Sequence, residues 1–499
     1  NENYIKKDSL YYLPGDIAGI TGIERAYEKQ LRGEKGMRYI QKDIKLRNVG
    51  PYKNGELDKE VVSGKDLTLT IDYDLQRIAE EMLVNKHGAI VALDPNNGEI
   101  LVLATGPDID PNLFTGPNKK RNIYRLANDT IYDNKPTYDR SVQAAYPPGS
   151  PFKLLTALAG YQMKVISDST KFTCRHGYRM GRHTIGCHCG TYWPIGMEKA
   201  IEKSCNNYFS SVYYKITEKY GPKGRNRAID EWKEIMNSFG LGEFMNNDLA
   251  VGAKGKIPSG EFYTKRLGEK WHPYESAIFN GMGQGDVLLT PLQMANFTAA
   301  IVNRGWYFTP HIVKSIDGKP NPDERFKKKH VTKVEPRYFD VVLKGMKDVF
   351  IGGTARGLAS KEFTQLGKTG TAQVPGGRDN SIFVMAAPAD KPKIVVVAVI
   401  EHAGFGATWA GPASTIIAEK YLLGDIKRTH LYDRMIKSSF MGEYKRMYIN
   451  HLTKKGWYTA PKPDPIQLKK LEDSLRLLNE KKAAQNPKKL KDTTKNNKT

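Results

Sequence analysis

Strand signals at both ends of a helix-rich middle predict an α+β fold for this chain of 499 residues. Three observations carry that expectation. Apolar runs from Ala89 to Leu93 and from Ile100 to Ala104 flank Asp94-Pro-Asn-Asn-Gly98, where Asn97-Gly98 is a strong hairpin turn. A second strand-rich block covers Phe363 to Val374, Ser381 to Ala387 and Lys393 to Glu401, the last two joined by a turn containing Pro and Asp. The stretch between them mixes helices and loops to about residue 350, which indicates an α+β layer rather than a βαβ repeat.

The remaining elements follow in chain order. Residues up to about 65 are polar, Gly-rich and punctuated, so only short elements are expected there. Leu67 to Ile71 alternates like a strand, and Asp74 is placed to cap a helix through about Val84. Tyr146-Pro147-Pro148-Gly149 is a turn-rich approach to a buried helix that opens at Ser150, with Pro151 suited to its first turn and an apolar run from Phe152 to Ala159. Gly281-Met-Gly-Gln-Gly285 resembles a nucleotide loop but lacks the final spacing and a preceding strand, so no organic cofactor is expected. After about Asp425 the character changes. Leu468, Leu471, Leu475 and Leu478 form one apolar stripe, expected to dock on the body, and from about Asn486 the Lys, Asn and Thr composition predicts disorder.

Three short motifs carry the chemistry, each present once and in order: Ser150-Pro-Phe-Lys153, Ser204-Cys-Asn206 and Lys368-Thr369-Gly370. Residues three apart on a helix share a face, so Lys153 can reach the Ser150 hydroxyl from one turn away. Burial would lower the lysine pKa and let it take the serine proton. Ser204 offers a second hydroxyl for proton relay, Asn206 an amide for a substrate backbone and Lys368 a cation for a carboxylate. Gly370 permits close approach to the backbone. Together these are the parts of a serine acyltransferase that handles protons with lysine rather than histidine.

Composition bounds the alternatives. Lys plus Arg number 77 against 54 Asp plus Glu, a net charge of +23. Roughly half of that excess lies after about residue 420, and no nucleic-acid motif accompanies it, so nucleic acid is not an expected partner. The longest apolar stretch, Ile394 to Ile400, is far short of the roughly 20 residues of a membrane helix. The chain begins at Asn1, which leaves a soluble protein or one whose N-terminal anchor has been removed.

These motifs, with Gly22-Ile-Glu-Arg-Ala-Tyr27, Leu31-Arg-Gly33, Thr70-Ile-Asp-Tyr-Asp-Leu-Gln76, Asp110-Pro-Asn-Leu-Phe114, Gly283-Gln-Gly285, Thr290-Pro-Leu-Gln293 and Gly367-Lys-Thr-Gly-Thr371, resemble the monofunctional (class B) penicillin-binding proteins over about residues 15 to 425. Asp-Pro-Asn-Leu-Phe and the Tyr-Pro-Pro-Gly approach point to the elongation branch over the division branch. The resemblance implies a penicillin-binding serine transpeptidase fold: an antiparallel sheet flanked by helices, plus a helical subdomain. It divides the chain into a partial non-catalytic pedestal (1–65), a transpeptidase domain (66–425) and a basic C-terminal extension (426–499).

The implied activity is D,D-transpeptidation of peptidoglycan stem peptides through a Ser150 acyl-enzyme. Lys153 would be the base, Ser204 and Asn206 would assist, and Lys368, Thr369, Gly370 and Thr371 would hold the carboxylate end. β-Lactams would acylate Ser150. Partners would be a SEDS-type glycosyltransferase, other elongation-complex proteins and the inner membrane through the missing anchor, with the catalytic part periplasmic. Many relatives carry Thr where this chain has Pro151. A serine β-lactamase shares the motifs, but no Glu-x-x-Leu-Asn element for a deacylating water is present. A non-turnover β-lactam sensor is the third reading.

All four cysteines, Cys174, Cys187, Cys189 and Cys205, fall in one window around Ser204. Four thiolates suit a structural tetrahedral zinc, although the spacing is not that of a standard finger, with His176, His183 and His188 interleaved as substitute ligands. Disulfides and free thiols are the competing readings. The resemblance adds that some relatives build a zinc site from mixed Asp, His and Cys ligands, with Cys205 the shared ligand type.

Overall fold

The computed structural model describes residues 8, 11–13, 16–129, 134–190, 193–275 and 277–456. The leucine stripe at 468–478 and the Lys-rich tail lie outside these residues. The part through Tyr444 is one compact unit, and the residues from Lys445 belong to a second.

The elements that frame the site are, in chain order, α1 (Tyr73–Leu83), β1 (Gly88–Leu93), β2 (Ile100–Gly106), α2 (Lys153–Gln162), α3 (Asn206–Thr217), α4 (Pro291–Val302), α5 (Phe339–Ile351), β3 (Leu366–Ala372), β4 (Asn380–Ala387), β5 (Ile394–Ile400), α6 (Ala410–Leu423) and α7 (Thr429–Lys437). The five strands form one sheet in the order β3-β4-β5-β1-β2, every neighbouring pair antiparallel. The two strand-rich blocks therefore meet at the β5–β1 pair, where Val397 faces Val91. This is the expected α+β layer.

Burial explains why the sheet closes this way. Every residue of β1, β4 and β5 is buried, which requires cover on both faces. Helices α1, α4 and α6 supply it, and α4 is itself buried along its whole length. Each fully buried Val or Ile on these strands contributes about 1.5–3 kcal/mol. Helix α4 opens with a reciprocal cap: the Gln293 N–H donates to Thr290 Oγ1, and the Thr290 N–H donates to Gln293 Oε1, both at 3.1 Å.

Three local expectations change. Helix α1 is capped by Asp72, not Asp74: Asp72 is extended and accepts the Leu75 N–H at 3.1 Å, which places Asp74 inside the first turn. Strand β3 begins at Leu366 rather than Phe363, because Gln365 Oε1 accepts the Ser360 N–H at 2.6 Å and folds the preceding segment back. The middle of the chain also holds short strands, among them the hairpin Gly177–Met180 with His183–Gly186.

Residues 16–64 form short helices (Gly22–Ala26 and Glu28–Leu31) and a two-stranded ribbon (Ile40–Lys42 with Asn48–Pro51). The Tyr27 hydroxyl ties them to the body, accepting from Asn321 Nδ2 at 3.1 Å and donating to a buried carboxylate. Asp248, 4% exposed, accepts from the Tyr27 hydroxyl (3.0 Å), the Ile312 N–H (2.9 Å) and the Val313 N–H (3.0 Å). Beyond the sheet, α7 packs on α1 and α6, and Lys86 Nζ donates to Ser438 O at 2.9 Å.

Replacing Asp248 with Ala strands three donors that the carboxylate satisfies, so we expect a loss of about 3 kcal/mol or more in urea unfolding. An unchanged midpoint would show that the clamp does not hold this part of the fold.

Candidate active site

Ser150 stands where the chain enters α2. Ser150–Phe152 make one 3-10 turn, and α2 continues directly from Lys153. Gly149 precedes them at φ 60° and ψ −150°, a conformation that favours glycine. Its N–H donates to Gly283 O at 2.7 Å, and a side chain on Gly283 would collide with the Gly149 carbonyl. The Gly281–Gly285 stretch is thus a buttress for the Ser150 turn. Upstream, the Tyr146 hydroxyl donates to Glu401 Oε1 at 2.7 Å, and Arg140 Nε donates to the same oxygen at 2.9 Å, tying the approach segment to the end of β5.

Lys153 has no exposed surface. Its Nζ donates to Asn206 Oδ1 (2.6 Å) and Ser204 O (2.8 Å), and lies 3.2 Å from Ser204 Oγ. Ser204 Oγ is in turn 3.1 Å from Ser150 Oγ. Lys153 therefore reaches Ser150 through Ser204, not directly as its spacing predicted: a carbonyl and an amide at the start of α3 are stronger acceptors than an alcohol and draw the amine there. Burial lowers the Lys153 pKa to about 8, against an opposing pull from the cysteine thiols.

The third motif lies on β3, the edge strand. Lys368 is fully buried, and its Nζ is 3.3 Å from Thr369 O. Burial, and then the nearby Lys153, hold its pKa well below that of an ordinary lysine. Gly370 makes room for a neighbour, but that neighbour is Pro151: a Cβ on Gly370 would lie 2.7 Å from Pro151 Cδ. The 3-10 turn that carries Ser150 can press on the strand because of it. Thr371 O accepts from Gln284 Nε2 at 3.3 Å, and Thr369 Oγ1 lies 2.7 Å from Thr354 Oγ1. Sequence reasoning passed over Gln284, Thr354 and Glu401. Gln284 sat in a stretch dismissed as a nucleotide loop and otherwise read only as part of the family resemblance, with no role for its side chain, and the other two are separated from their partners by 15 and 255 residues, with no local signal.

The four cysteine sulfurs converge, all buried and within 4.8 Å of one another. Cys205 Sγ is 3.9 Å from Cys187 Sγ and 3.5 Å from Cys189 Sγ, so these pairs are not disulfide-bonded. Those separations match the edge of a tetrahedron with zinc–sulfur bonds of about 2.3 Å, roughly 3.8 Å, so the residues fit a zinc ion. Among the described residues, His176, His183 and His188 are not part of that group. As bare thiols, the burial of Cys174 pushes it up to about 12, and Cys187 is lowered as the acceptor of the Cys205 thiol. The cluster abuts the second motif. Cys205 caps α3, the Asn206 N–H donates to Cys187 Sγ at 3.2 Å, and Asn206 Nδ2 donates to Gly186 O at 2.7 Å, which turns its oxygen toward Lys153. Ser204 itself is held at φ 55°.

Residues 1–69 match the penicillin-binding protein dimerisation domain. The chain is 34% identical over 450 residues to the peptidoglycan D,D-transpeptidase MrdA of Acinetobacter baumannii, covering 83% of this chain and 62% of that protein. Among solved structures it resembles Pseudomonas aeruginosa PBP2 in complex with WCK 5153, with a TM-score of 0.68, 33% identity and coverage of 83% of this chain and 86% of that one. It also resembles Helicobacter pylori PBP2 in its complex with MreC, with a TM-score of 0.69, 26% identity and coverage of 85% and 75%. Residues 88–423, the span that contains the sheet and all three motifs, match the penicillin-binding protein transpeptidase domain, and the chain belongs to that family.

Proposed function

We propose that the protein is a peptidoglycan D,D-transpeptidase of cell elongation that works through an acyl-enzyme on Ser150 and is a target of β-lactams. The observation that carries this reading is the chain Ser150–Ser204–Lys153, linked at 3.1 and 3.2 Å and facing the Lys368-Thr369-Gly370 strand. The Ser150 proton passes to Ser204 Oγ as the Ser204 proton passes to neutral Lys153. The Ser150 oxygen then bonds the carbonyl carbon of the penultimate D-alanine. The N–H groups of Ser150 and Thr371 receive the oxyanion. Collapse breaks the peptide bond, and the leaving D-alanine amine takes the proton back along the same relay. The amine of a second stem peptide then takes the acyl group, with proton transfer through the same three residues. Lys368, Thr369 and Thr371 hold the terminal carboxylate, Gly370 gives the Ser150 turn its place on the strand, and Asn206 orients the amine of Lys153.

In this reading residues 1–65 are part of a pedestal, 66–425 the transpeptidase domain and 426–499 a basic extension. The chain spans 62% of the length of the Acinetobacter relative. The proposed partners of the pedestal are elongation-complex proteins, a SEDS-type glycosyltransferase among them, and Ile17, Ile44, Leu46 and Val61 are exposed apolar side chains on this segment. No described helix is long and apolar enough to cross a membrane, and the proposed location is the periplasmic face of the inner membrane through an anchor outside this sequence. Cys174, Cys187, Cys189 and Cys205 would hold a structural zinc that fixes the start of α3 and takes no part in the chemistry.

Three measurements test this. Intact mass after exposure to benzylpenicillin should show a stable adduct on the wild type and none on Ser150→Ala; a folded wild type without an adduct would sink the assignment. The acylation rate should rise about tenfold per pH unit up to about pH 8 and then level off, because the base is neutral Lys153 and protons compete for it below that pKa. A rate that is flat across that range would remove Lys153 from the role. The purified chain should carry stoichiometric zinc by elemental analysis, and Cys189→Ser should lose the metal and lower the melting temperature. Zinc-free wild type at full stability would leave four structural thiols.

A further inference from the structure

The Thr369 hydroxyl has one proton and, on the function proposed above, must spend it on the substrate carboxylate. Its nearest hydroxyl is that of Thr354, 2.7 Å away on the turn that follows α5. Thr354 is exposed, while Thr369 is only 9% accessible. The turn is pinned from the other side of the site. Lys203 Nζ donates to Gly352 O at 2.8 Å, and a Cβ on Gly353 would lie 2.6 Å from Glu202 O, one residue before Lys203 and two before Ser204. The Ala355 N–H donates back to Val349 O at 3.0 Å. The position of Thr354 is thus set by the residues just before the second motif and by Thr369 of the third.

We propose that Thr354 is a positioning residue for carboxylate recognition: by donating its hydroxyl proton to Thr369 Oγ1, it leaves the Thr369 proton aimed at the substrate. A hydroxyl without this donor has no bond to hold its own proton toward the substrate, so it rotates and is pre-aimed only part of the time. Thr354 can act as the donor because solvent reaches it and can supply its own lone pairs with hydrogen bonds. The inference rests on the transpeptidase reading for the role of Thr369, and it adds a residue outside the three motifs.

The test uses the full chain and benzylpenicillin, a ligand that carries the carboxylate, and follows acylation of Ser150 as a function of drug concentration. We compare Thr354→Val, which keeps the shape and removes the hydroxyl, with Thr354→Ser, Thr369→Val and the double valine variant. Thr354→Val should lose about fivefold in the second-order rate constant, the size expected for one hydrogen bond between neutral groups, through a higher half-saturating concentration rather than a lower limiting rate. Thr354→Ser should recover to within about twofold. The double variant should be no slower than Thr369→Val alone, because Thr354 acts only through Thr369. Wild-type kinetics in Thr354→Val overturns the proposal, as does a loss in the double variant equal to the product of the single losses. Failure of the wild type to acylate at all overturns the transpeptidase reading and this one with it, a result distinct from normal acylation that is indifferent to Thr354.

Discussion

A lysine amine kept from water is the constraint on which the rest of the site depends. Lys153 has no exposed surface, and removing an ammonium from solvent costs several kcal/mol unless the proton leaves or the cation finds partners. The fold supplies both remedies. Burial brings the pKa down to about 8, so the neutral form is accessible near physiological pH. Two strong acceptors, Ser204 O and Asn206 Oδ1, match the two N–H bonds a neutral amine retains, and Ser204 Oγ faces the remaining position. The almost wholly buried α2 and the sheet with its covering helices maintain that dryness.

The same amine explains the conformation of its partner. Ser204 sits at φ 55°, a region that residues with a Cβ seldom occupy and that costs about 1–3 kcal/mol. It is held there from both sides. Its carbonyl and hydroxyl bind Lys153, and the next residue, Cys205, belongs to the sulfur cluster that caps α3. A strained serine between two fixed points cannot relax without breaking one of them, so the cluster acts on the site through backbone geometry.

The sequence disclosed chemistry more readily than contact. The Asn97-Gly98 turn and the apolar runs around it were legible because a hairpin is a local object, and the burial of β4 and β5 was legible because continuous apolar runs have few other fates. Ser150 and Lys153 were legible as neighbours on one helix, since three-residue spacing fixes a face. Their actual linkage through Ser204 was not, because it depends on how the chain enters α3 at Ser204, 51 residues after Lys153. Asp74 was misread as a cap because Asp72 has the same chemistry two residues earlier, and only backbone conformation distinguishes them. The four cysteines announced a shared site by clustering, while their choice of partner rests on sulfur-to-sulfur distances that spacing does not encode.

The two buried lysines bring these threads together. Lys153 and Lys368 occupy the same dry site, and the nearby Lys153 adds to the burial that lowers the Lys368 pKa, since two ammonium groups in low dielectric repel strongly. Only one of them can be a cation cheaply. An anion arriving beside Lys368 settles which: its charge favours the protonated form of Lys368, and the resulting ammonium further disfavours a proton on Lys153. On the proposed reading, the carboxylate that identifies the substrate also leaves the other lysine as the base. The Ser204 hydroxyl stands between the Lys153 amine and the reacting serine, and a hydroxyl passes a proton without adding charge. Recognition and activation are then two ends of one proton balance, set by burial and read through neutral side chains.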